Sequence, residues 1–293
     1  MIPADVGRLA CPSCRGTLAF DGQLDAGHLA VGRLRCGACE WDWPVENGLP
    51  DLVDSMRVRG LDRLMRFVYD HLAPLHDPAV RYLLPLLQWS SEKALRDGYM
   101  RRLELDRLAA PTSAEPVRVL EVGVGAGANL PLLERDLSRG TDVDLWGVDL
   151  SRGMIALCRR RLAQGHGRPV RLLLADAHAL PFPDASFDRV FHVGGIGAYR
   201  DPRTALAEMA RVARPATPIV VVDEQLDPGR VQPLFHRLAF RALTFYDPTP
   251  ACPVALLPAG AYDVVEEQVS RFYYCLTFRM PPRASRLTSE RPA

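Results

Sequence analysis

From position 117 onward the apolar residues come in short runs separated by amphipathic stretches. The runs Val117–Val122, Val143–Val148, Val170–Leu174, Phe187–Val193 and Ile219–Asp223 are rich in Val, Leu and Ile. Their length and near-unbroken apolarity predict strands covered on both faces. Between them, 127–138, Ser151–Ala163 and Arg203–Ala213 place apolar residues at helical spacing, with Ser151 positioned as an N-cap. Strand and helix in alternation predict the α/β class, a doubly wound sheet that is mostly parallel. Val264–Arg271 and Phe272–Phe278 alternate well enough to complete it as an edge hairpin. Ligands of such sheets lie beyond the carboxyl ends of the strands.

Upstream the pattern differs. Residues 55–110 read as helices, with Leu61, Leu64, Met65 and Val68 at helical spacing and further apolar stretches at Leu83–Leu87 and Leu95–Leu108. Pro111–Pro116 reads as a linker. Residues 1–54 are turn-rich, with glycines between brief apolar runs, which suits a β-ribbon too small to stand on a core of its own. The organisation expected is a ribbon (1–54), a helical lid (55–110), an α/β domain (111–280) and a disordered tail (281–293).

Composition changes this little, whereas charge placement adds to it. The chain has 293 residues, is 48% hydrophobic and has a net charge of +1. No run is long and apolar enough for a transmembrane helix. The start has neither a basic nor an apolar leader segment, so a cytoplasmic location is expected. Residues 1–54 hold four Arg against eight acids, a poor footprint for phosphate, which argues against a nucleic-acid partner.

The candidate chemistry sits where the strands end. Val119-Leu-Glu-Val-Gly-Val-Gly-Ala-Gly127 is a glycine loop directly after a strand, free of Cβ atoms where a ligand would approach. Alone it does not separate one nucleotide-type cofactor from another. Glu121 lies just before the glycines, where a carboxylate repels a pyrophosphate and suits a cation. Asp149 closes the second strand, placed to accept from ribose hydroxyls, and Asp176 follows the third.

This ordered set resembles the class I S-adenosylmethionine-dependent methyltransferases, in the branch of the ubiquinone/menaquinone C-methyltransferases (methyltransferase type 11). It consists of the glycine loop, Gly147-Val-Asp-Leu-Ser151, Ala175-Asp-Ala177 with Leu180-Pro-Phe-Pro-Asp-Ala-Ser-Phe-Asp188, and Ala205-Leu-Ala-Glu-Met-Ala-Arg-Val-Ala-Arg-Pro215, and it covers roughly residues 60–280. The resemblance implies a Rossmann-like seven-stranded sheet and S-adenosyl-L-methionine as cofactor. It also implies roles: Gly123, Gly125 and Gly127 around the methionine moiety, Glu121 on its ammonium, Asp149 on the ribose, Leu150 and Ala177 at the adenine ring, and Asp176 on the adenine amino group. Tyr69-Asp70 resembles the family's lid motif, which adds Tyr69 to the cofactor contacts. Ala216-Thr217-Pro218 stands where the family usually has Gly-Gly.

Cys11-Pro-Ser-Cys14 and Cys36-Gly-Ala-Cys39 are two doublets with the spacing of a four-thiolate structural Zn²⁺ site, with no open coordination position. With the flank Trp43-Pro-Val-Glu-Asn-Gly-Leu-Pro50, they resemble the zinc-ribbon proteins that activate tRNA methyltransferases. That resemblance implies a ribbon supporting a methyltransferase, here in cis.

The methyl acceptor is the least legible part. His192 is a candidate base or a structural histidine, Tyr199 a candidate for orienting substrate, and one of Asp223 and Glu224 could face the pocket. The aromatic, proline-rich stretch 226–260 is either ordinary packing or a cover for an apolar acceptor. The expected activity is methyl transfer to a small apolar or aromatic, quinone-like or natural-product molecule at O, C or N. The alternatives are an rRNA or tRNA base methyltransferase and a non-catalytic cofactor-binding partner. Oligomeric state is not written in the chain.

Overall fold

Among the described residues, eleven strands form one continuous sheet. The computed structural model describes residues 1–78, 92–108, 116–137, 142–165, 168–247 and 249–282. The apolar stretch at 83–87, most of the 111–116 linker and the tail beyond 282 lie outside the described residues.

The ribbon contributes β1 (Leu18–Asp25), β2 (His28–Cys36), β3 (Asp42–Glu46) and β4 (Leu49–Leu52), preceded by the single turn α1 (Pro3–Val6). The helical region contributes α2 (Gly60–Pro78) and α3 (Glu92–Arg102). Then β5 (Val117–Val122), α4 (Leu130–Asp136), β6 (Val143–Asp149), α5 (Arg152–Ala163), β7 (Val170–Ala175), β8 (Arg189–Val193), α6 (Pro202–Val212) and β9 (Ile219–Glu224) follow in alternation. Helix α7 (Leu234–Leu243) precedes the hairpin β10 (Tyr262–Gln268) and β11 (Tyr273–Arg279).

The strand order β7-β6-β5-β8-β9-β11-β10 is the expected seven-stranded sheet, parallel through β9, with β11 antiparallel to β9 and β10 at the edge. The parallel strands are buried along almost their whole length, which is why they read as unbroken apolar runs. Ser151 caps α5 by accepting from the Met154 N–H, and Asp201 does the same for α6 through Thr204. Helix α4 starts three residues later than its pattern predicts, because Gly127 at φ +73° still belongs to the loop.

The ribbon joins this sheet rather than resting beside it. β4 pairs in parallel with the end of β7, with Asp51 opposite Leu174 and Leu52 opposite Ala175. One apolar core runs across the junction, from Leu34, Trp43 and Leu52 to Trp146, Phe182 and Phe187. Ion pairs seal its rim: Arg171 bonds Asp5 at 2.7 Å and Asp144 at 2.7 Å, and its guanidinium stacks 5.5 Å over the Trp146 ring. Among the described residues, no helix is long and apolar enough to cross a membrane.

Candidate active site

A cavity of about 450 Å³ opens at the carboxyl ends of β5, β6, β7, β8 and β9, under α2 and the segment after α7. Glu121, Gly123, Gly125, Asp149, Leu150, Asp176, Ala177, Tyr69 and Tyr199 all line it. Two expected residues do not. Gly127 packs inward, where a Cβ would stand 2.7 Å from the Cys158 Sγ, so its bareness serves helix packing. His192 lies behind the wall, fully buried.

Glu121 is buried, and Asn129 donates to its Oε1 at 2.6 Å. Asn129 in turn accepts from the Tyr99 hydroxyl at 2.6 Å and from Arg96, both on α3. The other Glu121 oxygen, Oε2, has no partner among the described residues. Burial pushes this carboxyl up to about 8, against the pull of Asn129 and Arg96. A buried, half-satisfied carboxylate at a cavity wall suits a cationic ligand group.

Asp149 accepts from the Gly125 N–H at 2.8 Å and the Ser151 N–H at 2.8 Å. Burial raises its carboxyl to about 6 even so, with the nearby Asp70 charge adding to the rise. Each oxygen keeps a lone pair for a further donor. Asp70, next to Tyr69, ties α2 to the start of α5. It accepts from the Ser151 hydroxyl at 2.6 Å and the Gly153 N–H at 2.9 Å.

Asp176 is held by His178 at 2.6 Å and Arg200 at 2.7 Å. Burial would raise its carboxyl, but these partners bring it down to about 2. Arg200 also bonds Asp62 of α2, so one guanidinium ties α2 to the loop after β7. Asp62, Asp176 and His178 lie close enough to suggest a cation site, but the Arg200 charge already fills the space between the carboxylates.

On the far side, the His192 Nδ1 lies 2.8 Å from the Val122 carbonyl. Burial lowers its pKa, outweighing the opposite pull of Asp223, so the ring is neutral and donates from Nδ1. It stands behind Gly123, where a Cβ would lie 3.1 Å from Nδ1 and 3.3 Å from the Tyr199 hydroxyl. The two carboxylates ending β9 divide their work. Asp223 accepts from the Gly195 and Gly197 N–H groups at 2.6 and 2.7 Å and so fixes the loop after β8. Glu224 lines the cavity and accepts from the Tyr246 hydroxyl at 2.9 Å. Burial, with Asp223 beside it, holds the Glu224 carboxyl well above the ordinary range.

In the ribbon the four cysteines converge. Their sulfurs all lie within 4.8 Å of one another, with Cys11 to Cys39 at 3.7 Å and Cys14 to Cys36 at 3.4 Å. A tetrahedron with ~2.3 Å metal–sulfur bonds has edges of about 3.8 Å. Gly16 and Ala38 N–H groups point at Cys14 and Cys36 sulfurs, each at 3.4 Å. A Cβ on Gly16 would stand 2.9 Å from the Cys36 Sγ, so only glycine fits there.

Comparison with known proteins gives the family. The family described as Methyltransferase domain matches residues 119–216. A demethylmenaquinone methyltransferase of Thermus thermophilus is 37% identical over 160 residues, covering 54% of this chain and 68% of that protein. The chain belongs to the class I S-adenosylmethionine-dependent methyltransferases. A ubiquinone/menaquinone biosynthesis C-methyltransferase of Geobacter sulfurreducens is 28% identical over 211 residues, covering 71% of this chain and 74% of its own length. The fold also matches a Haemonchus contortus phosphoethanolamine N-methyltransferase 2 solved with S-adenosyl-L-methionine. That match has a TM-score of 0.54 at 14% identity, over 81% of this chain and 62% of the other.

Within this methyltransferase, sequence reasoning missed Asn129, Arg96, Asp62 and Arg200, and met Tyr246 only as one aromatic of the 226–260 stretch. Asn129 follows the glycine loop and carried a local signal. The others act across long sequence separations, which no local pattern records.

Proposed function

We propose that this methyltransferase acts on a small apolar or aromatic acceptor of the quinone-like class, at O, C or N. The observation that carries the reading is the polarity of the cavity. Glu121, Asp149 and Asp176 stand at the β5–β7 end, whereas Val193, Ala198, Leu243, Phe245 and Tyr273 line the end toward β8 and β9. There Glu224 and Tyr246 form a hydrogen-bonded polar pair. Kinship to demethylmenaquinone methyltransferases supports the same class.

Bound S-adenosylmethionine supplies a sulfonium methyl group open to in-line displacement, after which the carbon–sulfur bond electrons remain on sulfur. The chain's own part is alignment and exclusion of water. In this reading Glu121 meets the ammonium through its unpartnered Oε2, and Gly123 and Gly125 let the backbone approach. Asp149 takes the ribose, Leu150 and Ala177 flank the adenine, and Asp176 accepts from its amino group while Arg200 keeps it charged. Tyr69 closes over the cofactor. Tyr199 and the Glu224–Tyr246 pair orient the acceptor's polar group, and Glu224 is the group placed to exchange a proton with it. His192 is assigned to holding the Gly123 turn.

The ribbon is assigned one structural Zn²⁺ on Cys11, Cys14, Cys36 and Cys39, consistent with the convergence of the sulfurs. Arg15, directly after Cys14, bonds the Leu180 carbonyl at 2.8 Å and Glu208 at 2.7 Å. Through these bonds the knuckle braces the loop that carries Asp176 and Ala177. A cytoplasmic location goes with this reading.

The test is transfer of radiolabelled methyl groups from the cofactor to a short-chain demethylmenaquinol, a catechol and bulk tRNA. Label in one of the first two supports the reading, and label in tRNA alone overturns it.

A further inference from the structure

Asn129 stands directly ahead of α4, where an asparagine side chain ordinarily caps the first helical turn. It makes no capping bond. The side chain is buried and turned instead between β5 and α3. Its Nδ2 donates to the Glu121 Oε1 at 2.6 Å, and its Oδ1 accepts from the Tyr99 hydroxyl at 2.6 Å and from Arg96.

The amide can stand only one way round. A guanidinium donates and cannot accept, so the group facing Arg96 has to be the oxygen. Arg96 also donates to the Tyr99 oxygen at 3.2 Å, which leaves the Tyr99 hydrogen for Asn129. Every bond of this chain runs from the cation on α3 toward the carboxylate on β5. Glu121 therefore receives an N–H on Oε1 from a group that cannot turn away, and its Oε2 is left for another donor. Asn129, Arg96, Tyr99 and Glu121 all line the cavity.

We propose that Asn129 is a positioning residue for the cofactor's amine: by filling Oε1 it fixes the Glu121 carboxyl and reserves Oε2 for one ammonium. Tight binding then requires a cofactor with a free amine. This inference rests on the Glu121 reading given above and adds the residue through which α3 controls it.

Among the described residues, the titratable and charged groups facing Glu121 and its amide are Arg96 and Tyr99 on α3, Asp149 ending β6 and Cys158 on α5. Its partners across the sheet, Gly147 and Phe191, carry no charge. Burial raises the Glu121 carboxyl; the Asn129 bond pulls it down more than Arg96 does, and the Asp149 charge adds to the rise.

The test is the calorimetric affinity of the full chain for S-adenosylhomocysteine and for its analogue with hydrogen in place of the amino group. The wild type should prefer the amine by about thirtyfold or more. Asn129→Asp keeps an oxygen toward Tyr99 and Arg96, so the bracing of α3 survives, but it sets a second carboxyl against Glu121. The two share one proton, and Arg96 with Tyr99 keeps the charge on the new side chain. The preference should fall about tenfold or more, and the pH at which S-adenosylhomocysteine affinity levels off should rise by about one unit or more. Asn129→Ala removes the donor without adding a charge and should lower the preference too, which keeps the inference refutable if the acid disturbs folding. An unchanged preference, or equal losses for both ligands as a merely structural role would give, overturns it. Glu121→Gln separates the two readings. If it abolishes the preference while both Asn129 variants keep it, the ammonium reading stands and this inference falls. If the preference survives Glu121→Gln, both fall.

Discussion

Asp70 and Gly153 are in contact at a distance that leaves no room for a side chain. A Cβ on Gly153 would stand 2.9 Å from the Asp70 Cα and 2.8 Å from its carbonyl oxygen. Helix α2 is thereby pressed onto the first turn of α5, four residues past the cavity-lining Asp149. Gly153→Val should lift the lid and weaken S-adenosylhomocysteine binding by about tenfold or more, as overpacking costs about 1–3 kcal/mol. Asp70→Ala should act in the same direction by removing two hydrogen bonds. Calorimetric affinities within twofold of wild type for both variants would show that the lid does not bear on the cofactor.

Asp149→Ala should abolish cofactor binding. It removes the expected ribose acceptor and also orphans the Gly125 and Ser151 N–H groups, which this carboxylate now satisfies. Losing such a buried charged acceptor costs about 2–5 kcal/mol. A wild-type-like affinity by calorimetry would remove Asp149 from the site.

Binding should also depend on pH. In the free protein Glu121 keeps its proton up to about pH 8, because burial outweighs its partners. A cationic ammonium favours the ionised carboxylate, so cofactor binding near pH 7 releases a proton. Affinity should therefore rise with pH below that midpoint, by up to about tenfold per unit. The binding enthalpy near neutrality should differ between phosphate and Tris. Identical enthalpies in the two buffers, with a flat affinity profile, would place the ammonium elsewhere, and Glu121→Gln should flatten the profile.

Metal analysis of the purified chain should give about one zinc per molecule, released only together with ribbon structure. Gly16→Ala should lower zinc retention, because the new methyl group would press on the Cys36 sulfur and on Ala38. Zinc removal should weaken S-adenosylhomocysteine binding as well, since Arg15 would lose its hold on Leu180. A zinc-free preparation with intact ribbon and unchanged affinity would dissolve this link.

The parallel strands were legible because burial on both faces leaves an unbroken apolar run, as in Val117–Val122. The place of Glu121 and Asp149 on the cavity wall was legible because ligand cavities of such sheets lie at strand ends and the neighbours of these carboxylates are apolar. Gly127 misled because a glycine required for packing against Cys158 looks the same in sequence as one required for a ligand. His192 sits at the end of its strand as a catalytic group would, yet the alternation of strand side chains turns its ring behind Gly123. The pairing of Leu49–Leu52 with β7 left no trace, since four residues including Pro50 carry no register signal and the partner lies over a hundred positions away. Tyr246 was visible only as one aromatic among many, and its meeting with Glu224 depends on how α7 folds back.

The junction of β4 with β7 has a further bearing on solubility. Without residues 1–54 the Leu174 and Ala175 backbone would lose its neighbour at the margin of the sheet, and the core cluster that holds Trp146 would lose Leu34, Trp43 and Leu52. Bare strand margins recruit other chains. A version lacking residues 1–54 should therefore self-associate, which gives the cysteine-bearing segment a protective duty apart from any turnover.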